Sequence, residues 1–263
     1  MAEGFETTLR DEKLKTGEGG FPAYVNELKE HFEKAHKEDH DCKIRAKNDS
    51  TNEEISLMID ALSTNLTSFF REEKHFNFLK NSLIPEWSAD KDDNIRIWSA
   101  GCSSGEEPYT IAIIIQEASN ILNIENIKIL ATDISTKMTM RAKKGSYEEE
   151  RLKKIPLPVL RKYFLRGTEK LSTYYSLKPI VRNMVTIGKL NLLDKWPMKG
   201  KFNLIFCRNV MIYFDKSTQE RLINRYENLL KPNGFLFVGH SESLTGVKHN
   251  LKYVQPTIYQ KND

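Results

Sequence analysis

The chain has 263 residues, of which 29% are charged, 39% belong to the AVILMFWYC set and 10% are aromatic. That is too apolar for a disordered chain and long enough for one or two domains with a real core. The net charge is only +4, no apolar run reaches the roughly 18 residues of a membrane span, and the N-terminus lacks the apolar stretch of a secretory signal. Cys42, Cys102 and Cys207 form no CxxC pair, so neither a disulfide framework nor a zinc ribbon is indicated, and a soluble cytoplasmic protein is expected.

In chain order, residues 1–20 are polar and expected to be flexible. Tyr24, Leu28 and Phe32 recur at helical spacing within 22–40. A second helix is predicted to start near Ser50 or Thr51, ahead of Ile55, Leu57, Met58 and Leu62. A third covers Glu72 to Asn81, with Pro85 closing it, so residues 1–85 read as a helical domain. His31, His36, His40 and Cys42 do not have a recognised ligand spacing, and no metal is expected.

The pattern changes at Ile95–Ala100 (IRIWSA), a buried-strand candidate. A glycine turn and a helix over Tyr109–Leu122 follow. Ile127–Thr132 is a second strand, Thr136–Lys144 a helix, and Val185–Gly188, Asn203–Cys207 and Phe235–Gly239 are further strands. Ser217–Leu230 is an amphipathic helix, and Lys231-Pro232-Asn233-Gly234 is predicted to terminate it. Leu251–Gln260 has short strand-like pieces. Alternating strands and helices indicate an α/β domain over 86–263 with a doubly wound, mostly parallel sheet. Residues 145–190 interrupt the alternation and predict a small antiparallel β insertion. Charge is uneven: residues 1–64 hold 9 Lys/Arg against 15 Asp/Glu, and residues 141–190 hold 13 against 4. The basic surplus is either a solvated face or a patch that steers an acidic partner.

The turn Ala100-Gly101-Cys102-Ser103-Ser104-Gly105-Glu106-Glu107-Pro108 is neither GxGxxG nor a P-loop. It lies at the carboxyl end of a strand, where open α/β sheets bind ligands, and its glycines are expected to let backbone approach one. Two carboxylates at the helix start disfavour a phosphate. Asp133, which ends the second strand 32 residues after Gly101, can accept hydrogen bonds from ribose hydroxyls or cap the next helix. Carboxylates, a ribose-binding Asp and no phosphate cradle point to adenosine carrying a positive sulfur, S-adenosylmethionine, with no metal.

The segments TNLTSFFRE (64–72), IWSAGCSSGEEPYTIAI (97–113), ATDIS (131–135), KYFLRGT (162–168), NLL (191–193), FNLIFCRNVMIYFDKSTQE (202–220) and LLKPNGFLFVGHSESL (229–244) occur in the order found in CheR-type chemotaxis methyltransferases. The chain resembles that family over nearly all of 60–245. The resemblance implies a Rossmann-like class I methyltransferase fold and methylation of glutamate side chains on the cytoplasmic part of chemoreceptors. It also implies roles for single residues. Asn65, Thr67 and Arg71 would reach over the cofactor, and Gly101, Glu106 and Glu107 would form the cofactor turn. Asp133 would hold the ribose, while Asn191, Leu192, Arg208 and Asn209 would flank the adenine. Arg71 and Tyr213 would stand beside the reacting methyl.

The family's glycine-rich loop is replaced by Glu169-Lys170-Leu171-Ser172, so a receptor pentapeptide tether is not expected to be needed. A monomer without nucleic-acid or membrane partners is expected. Two other readings stand beside this one. One is a methyltransferase acting on RNA or another protein through the basic region, although no NPPY motif is present. The other is a non-catalytic S-adenosylmethionine-binding protein.

Overall fold

A computed structural model describes residues 67–89 and 94–263. The predicted helices over 22–40 and 53–62, the His31–Cys42 group and Asn65 lie outside these residues. The described chain is built on a seven-stranded sheet. Its strands are β1 (Ile95–Ala100), β2 (Ile127–Asp133), β6 (Val185–Lys189), β7 (Phe202–Cys207), β8 (Leu230–Val238), β9 (Lys252–Gln255) and β10 (Ile258–Gln260), in the order β6-β2-β1-β7-β8-β10-β9. The first five are parallel and β10 runs antiparallel to both neighbours. This is the expected doubly wound, Rossmann-like sheet. Its order reverses at β1, so β1 leads to β2 on one side and β7 lies on the other.

Parallel strands covered on both faces are apolar at most positions, which is why they are readable as nearly continuous runs. All six residues of β7 are buried. Ile97, Leu204, Phe206 and Phe237 point to one face, and Trp98, Ile205, Cys207 and Leu236 to the other. The second face is covered by α7 (Lys216–Leu229) through Leu222, Ile223 and Tyr226. The first is covered by α3 (Glu106–Glu117) and by the chain around residues 67–89. Each large side chain removed from water there contributes about 1.5–3 kcal/mol.

Four expectations are corrected in detail. The N-terminal helix does not end at Pro85. It runs as α1 (Glu73–Phe78), a π-helical turn (Leu79–Leu83) and α2 (Ile84–Ala89). Proline lacks an N–H and crowds the carbonyl four residues back, and the wide turn just before it relieves both problems. Phe69, Phe76, Leu79, Leu83, Ile84 and Trp87 share one core with Ile95 and Ile97, so this part of the expected N-terminal domain packs with the sheet. Helix α3 starts at Glu106, not Tyr109, because Gly105 at φ 97° turns the chain directly into it.

Lys231–Gly234 do end α7 but lie within the span of β8. Phe202 pairs with Leu230 and Leu204 with Phe235, so the extra residues bulge outward, with Asn233 at φ 57°. The insertion is antiparallel as expected, with β3 (Ser146–Glu148), β5 (Tyr174–Leu177) and β4 (Phe164–Arg166) side by side in that order. It stops short of residue 190, since Val185–Lys189 is the β6 edge of the main sheet. Helix α4 (Thr136–Lys144) appears where predicted, capped by Ser135 and ended by Gly145 at φ 58°.

Candidate active site

The carboxyl ends of β1, β2 and β7 converge where the strand order reverses, the place an open α/β sheet offers a ligand. After β1 the chain turns through Gly101 (φ 91°), Ser103 (φ 47°) and Gly105 (φ 97°). The backbone N–H groups of Gly101 and Cys102 both donate to the Thr132 carbonyl, at 2.8 and 2.9 Å. The glycines of this turn answer a demand of the fold itself. A Cβ on Gly101 would stand 2.3 Å from Val210 Cγ2, and one on Gly105 would stand 3.0 Å from Ala142, Tyr109 and the Tyr147 hydroxyl. The protein itself occupies that space, so these glycines let the turn seat against β7's loop and α4.

Asp133 is buried at the end of β2. Its Oδ2 accepts the Ser103 N–H at 2.7 Å and its Oδ1 the Ser135 N–H at 2.9 Å. It therefore braces the glycine turn and also helps begin α4. The Leu190 N–H donates to the Asp133 carbonyl at 2.9 Å, which brings the Asn191–Leu192 segment to the same corner. The Asn191 side chain accepts from the Leu193 N–H. The Leu192 side chain is packed into the core beside Trp98 and Cys207, and its carbonyl takes Trp196 and Arg225.

The neighbouring carboxylates of α3 diverge. Glu106 is fully buried; its Oε1 lies 2.8 Å from Arg151 Nη2 as an ion pair, and its Oε2 accepts from the Ser104 hydroxyl at 2.7 Å. It points to the insertion, not to the strand ends. Glu107 turns the other way and accepts from the Ser99 hydroxyl at 2.7 Å and Arg208 Nη1 at 2.9 Å. Burial pushes both carboxyls above the usual range, and the guanidinium beside each pulls against that.

Arg208, just past β7, is the hub. Besides Glu107 it donates to Glu72 through Nε at 3.2 Å, with Nη2 3.1 Å from the same oxygen as an ion pair, and Nη2 donates to the Arg71 carbonyl. It lies over the Phe76 ring at 5.3 Å. The Thr67–Glu72 segment, where Phe70 and Glu72 both have left-handed backbone at φ 56° and 59°, is thereby stitched to the strand ends. Thr67 and Arg71 are partly buried on this segment. Burial alone would raise Glu72, but Arg208 and the His240 backbone hold its carboxyl below the ordinary range. Asn209 (φ 58°) donates from its side chain to Glu72 at 3.3 Å. Tyr213 follows at the end of the 3-10 turn Met211–Tyr213 and is partly buried. Non-glycine residues at positive φ cost about 1–3 kcal/mol each, and four of them gather here.

The contacts thus join Arg71 and Glu107 to Arg208, tie Asn209 to Glu72 and the Gly101 turn to Asp133, and bring Asn191 beside the end of β2, whereas Glu106 and the Leu192 side chain turn elsewhere. Sequence reasoning missed Glu72, His75, His240 and Glu242. All four lie in or beside quoted segments, and FFRE with HSES could have flagged the acids. Glu72, His75 and His240 bring one ligand atom each within 4.8 Å of one another. Arg208, at 3.1 Å from the same Glu72 oxygen, puts a positive charge where a cation would have to sit, so the cluster is an ion network centred on Arg208.

A model of the CheR methyltransferase SAM-binding domain matches residues 65–260. The chain belongs to the CheR methyltransferase family. It is 45% identical over 218 residues to the chemotaxis protein methyltransferase of Borreliella burgdorferi, covering 80% of this chain and 75% of that one. It is 42% identical over 207 residues to chemotaxis protein methyltransferase 2 of Pseudomonas aeruginosa, with 78% and 73% covered. To the Escherichia coli chemotaxis protein methyltransferase it is 38% identical over 207 residues, with 78% and 70% covered. This CheR chain is accordingly an S-adenosylmethionine-dependent methyltransferase. The donor set fits that cofactor: Glu72 and Glu107 share one guanidinium, Asp133 adds a third carboxylate, and the excess of negative charge suits a cation. Among the described residues no helix is long and apolar enough to cross a membrane.

Proposed function

We propose that the enzyme methylates glutamate side chains on the cytoplasmic part of chemoreceptors, forming γ-glutamyl methyl esters, and that it works in the cytoplasm. Membership of the CheR family carries this reading, and a carboxylate-rich strand-end site supports it. When bound, S-adenosylmethionine supplies a methyl carbon on a positive sulfur and leaves as the neutral thioether S-adenosylhomocysteine. A free glutamate has a pKa near 4.3, so the acceptor is ionised at neutral pH and no general base is required. The protein's work is alignment and exclusion of water, since hydration weakens a carboxylate nucleophile.

Each residue has a proposed part in this. Asp133 accepts from the ribose hydroxyls. Asn191, Arg208 and Asn209 line the adenine side, and Asn65 and Thr67 close over it. Arg71 holds the incoming carboxylate with a forked hydrogen bond, and Tyr213 orders the reacting groups. Recognition of the receptor rests on its glutamates at this site, without a pentapeptide tether. The turn Glu169–Leu171 presents an exposed Leu171 where the family's glycines would lie.

The deciding experiment mixes the protein with methyl-labelled S-adenosylmethionine and a chemoreceptor cytoplasmic fragment, then adds alkali. Volatile label shows a carboxyl methyl ester. Label retained through alkali shows an amine or thiol acceptor and overturns the reading. Arg71→Ala is expected to lower turnover at least tenfold more than it weakens S-adenosylhomocysteine binding.

A further inference from the structure

We infer that Glu242 is a positioning residue for methyl transfer, its buried carboxylate fixing the turn that carries Tyr213 into the site. This rests on the reaction proposed above. Glu242 follows β8 in the loop Gly239-His240-Ser241-Glu242 and is 5% exposed. Its Oε1 accepts the backbone N–H groups of Val210 at 2.8 Å, Met211 at 2.6 Å and Ile212 at 3.2 Å. Its Oε2 accepts those of Asn209 at 2.8 Å and Gly239 at 2.5 Å. A carboxylate offers about four lone-pair sites, so this one is saturated.

The need for it comes from the backbone. After β7 the chain reverses through Asn209 at φ 58° and Val210 at φ −119°, ψ −41° into the 3-10 turn Met211–Tyr213. Four successive N–H groups then point one way with no carbonyl opposite them. Such a concave run of amides binds an anion, and Glu242 is that anion, supplied by the neighbouring strand. The same turn presses Val210 onto Gly101. The carboxylate therefore sets the glycine turn and Tyr213 relative to one another without touching either side chain's chemistry. Gly239 completes the clamp, because a Cβ there would stand 2.6–2.7 Å from Asn209 and from Glu242 Oε2.

The test uses the full chain as Glu242→Gln, Glu242→Asp and Gly239→Ala. Glutamine keeps the shape but offers one acceptor oxygen and turns an NH2 toward the amides. Amide hydrogen exchange at residues 209–212 is expected to accelerate at least 100-fold in Glu242→Gln, with the amides of β1 and β7 unchanged. For methyl transfer to a receptor fragment, kcat is expected to fall 10- to 100-fold and the KM for that fragment to change less than threefold. Glu242→Asp should recover part of both, and Gly239→Ala should loosen the same four amides. Unchanged protection at 209–212, or loosened amides with unchanged kcat, overturns the inference. So does loss of β1 and β7 protection in all three variants, which would make Glu242 a general determinant of folding. The exchange measurement needs no acceptor. A wild-type protein that methylates no receptor would sink the functional reading while the clamp is still judged.

Discussion

Glu106 and Glu107 are adjacent in the chain, yet they tie down opposite sides of the site. Successive helical residues point about 100° apart, so the first turn of α3 sends one carboxylate to Arg151 of the insertion and the next to Arg208 at the end of β7. The two arms differ in kind. The Glu106 arm is a single ion pair, with Arg151 one-third exposed, backed by Ser104 and the Tyr147 hydroxyl that donates to the Ser104 carbonyl at 2.8 Å. The Glu107 arm is a buried network in which one guanidinium, 2% exposed, serves two carboxylates and a backbone carbonyl. A pair of acids that reads in sequence as one motif is therefore two separate braces, one to the insertion and one to the end of β7.

Removing the hub breaks the Glu107 arm most severely. Arg208→Gln leaves Glu72 and Glu107 buried without a counter-charge, and breaking such a network costs about 3–5 kcal/mol. The expected result in urea unfolding is a loss of that size, together with uptake of protons by the two carboxyls on folding. A loss under 1 kcal/mol would show that the network does not hold the Thr67–Glu72 segment. On the other arm, Arg151→Ala strands Glu106 in the same way, but water reaches the arginine, so the expected loss is about 2 kcal/mol. Its mark should be local, with faster amide exchange in β3 and β5 and little change in affinity for S-adenosylhomocysteine by calorimetry. Equal loss of affinity in the two variants would erase the distinction between the arms.

What the sequence disclosed follows from the same contrast. The strands were readable because burial on both faces favours near-continuous apolar runs, which IRIWSA and FNLIFC keep except at Arg96, Ser99 and Asn203. Gly101, Asp133 and Arg208 were readable because motif order places them at strand ends. The direction of Glu106 was not, since its partner Arg151 lies 45 residues on, in an insertion whose strands have only three or four residues. Glu242 was equally hidden. A glutamate between two serines reads as solvated surface, and only the reversal after β7 gives it the four amides of residues 209–212. The π-turn before Pro85 left no trace in hydrophobic spacing, because its effect is on helix width and not on which face is apolar.

The smallest effect separates the arms by pH. His75 is fully buried, its Nε2 lies 2.7 Å from the Thr257 hydroxyl, and its Nδ1 lies 3.5 Å from Glu72. Burial first, then the charge on Arg208, push its pKa down to about 3, with Glu72 pulling the other way. The folded state thus favours neutral His75. The stability this contributes is complete above the unfolded value near 6.5 and is lost as pH falls from there toward 3. One proton gives a slope of at most ~1.4 kcal/mol per pH unit. The nearby Glu107 and Glu242 carboxyls, raised by burial, change stability in the opposite sense as pH falls, so the wild-type curve alone would mix the two. The difference between wild type and His75→Asn isolates the histidine, and it should shrink by about 1 kcal/mol between pH 6.5 and 5.5. Arg151→Ala leaves His75 untouched, so its stability difference from wild type follows proton uptake by the stranded Glu106 instead, a carboxyl that burial raises and Arg151 lowers. A flat His75 difference would mean that the ring takes up its proton as readily in the folded protein as in the unfolded chain, with Glu72 offsetting burial and Arg208.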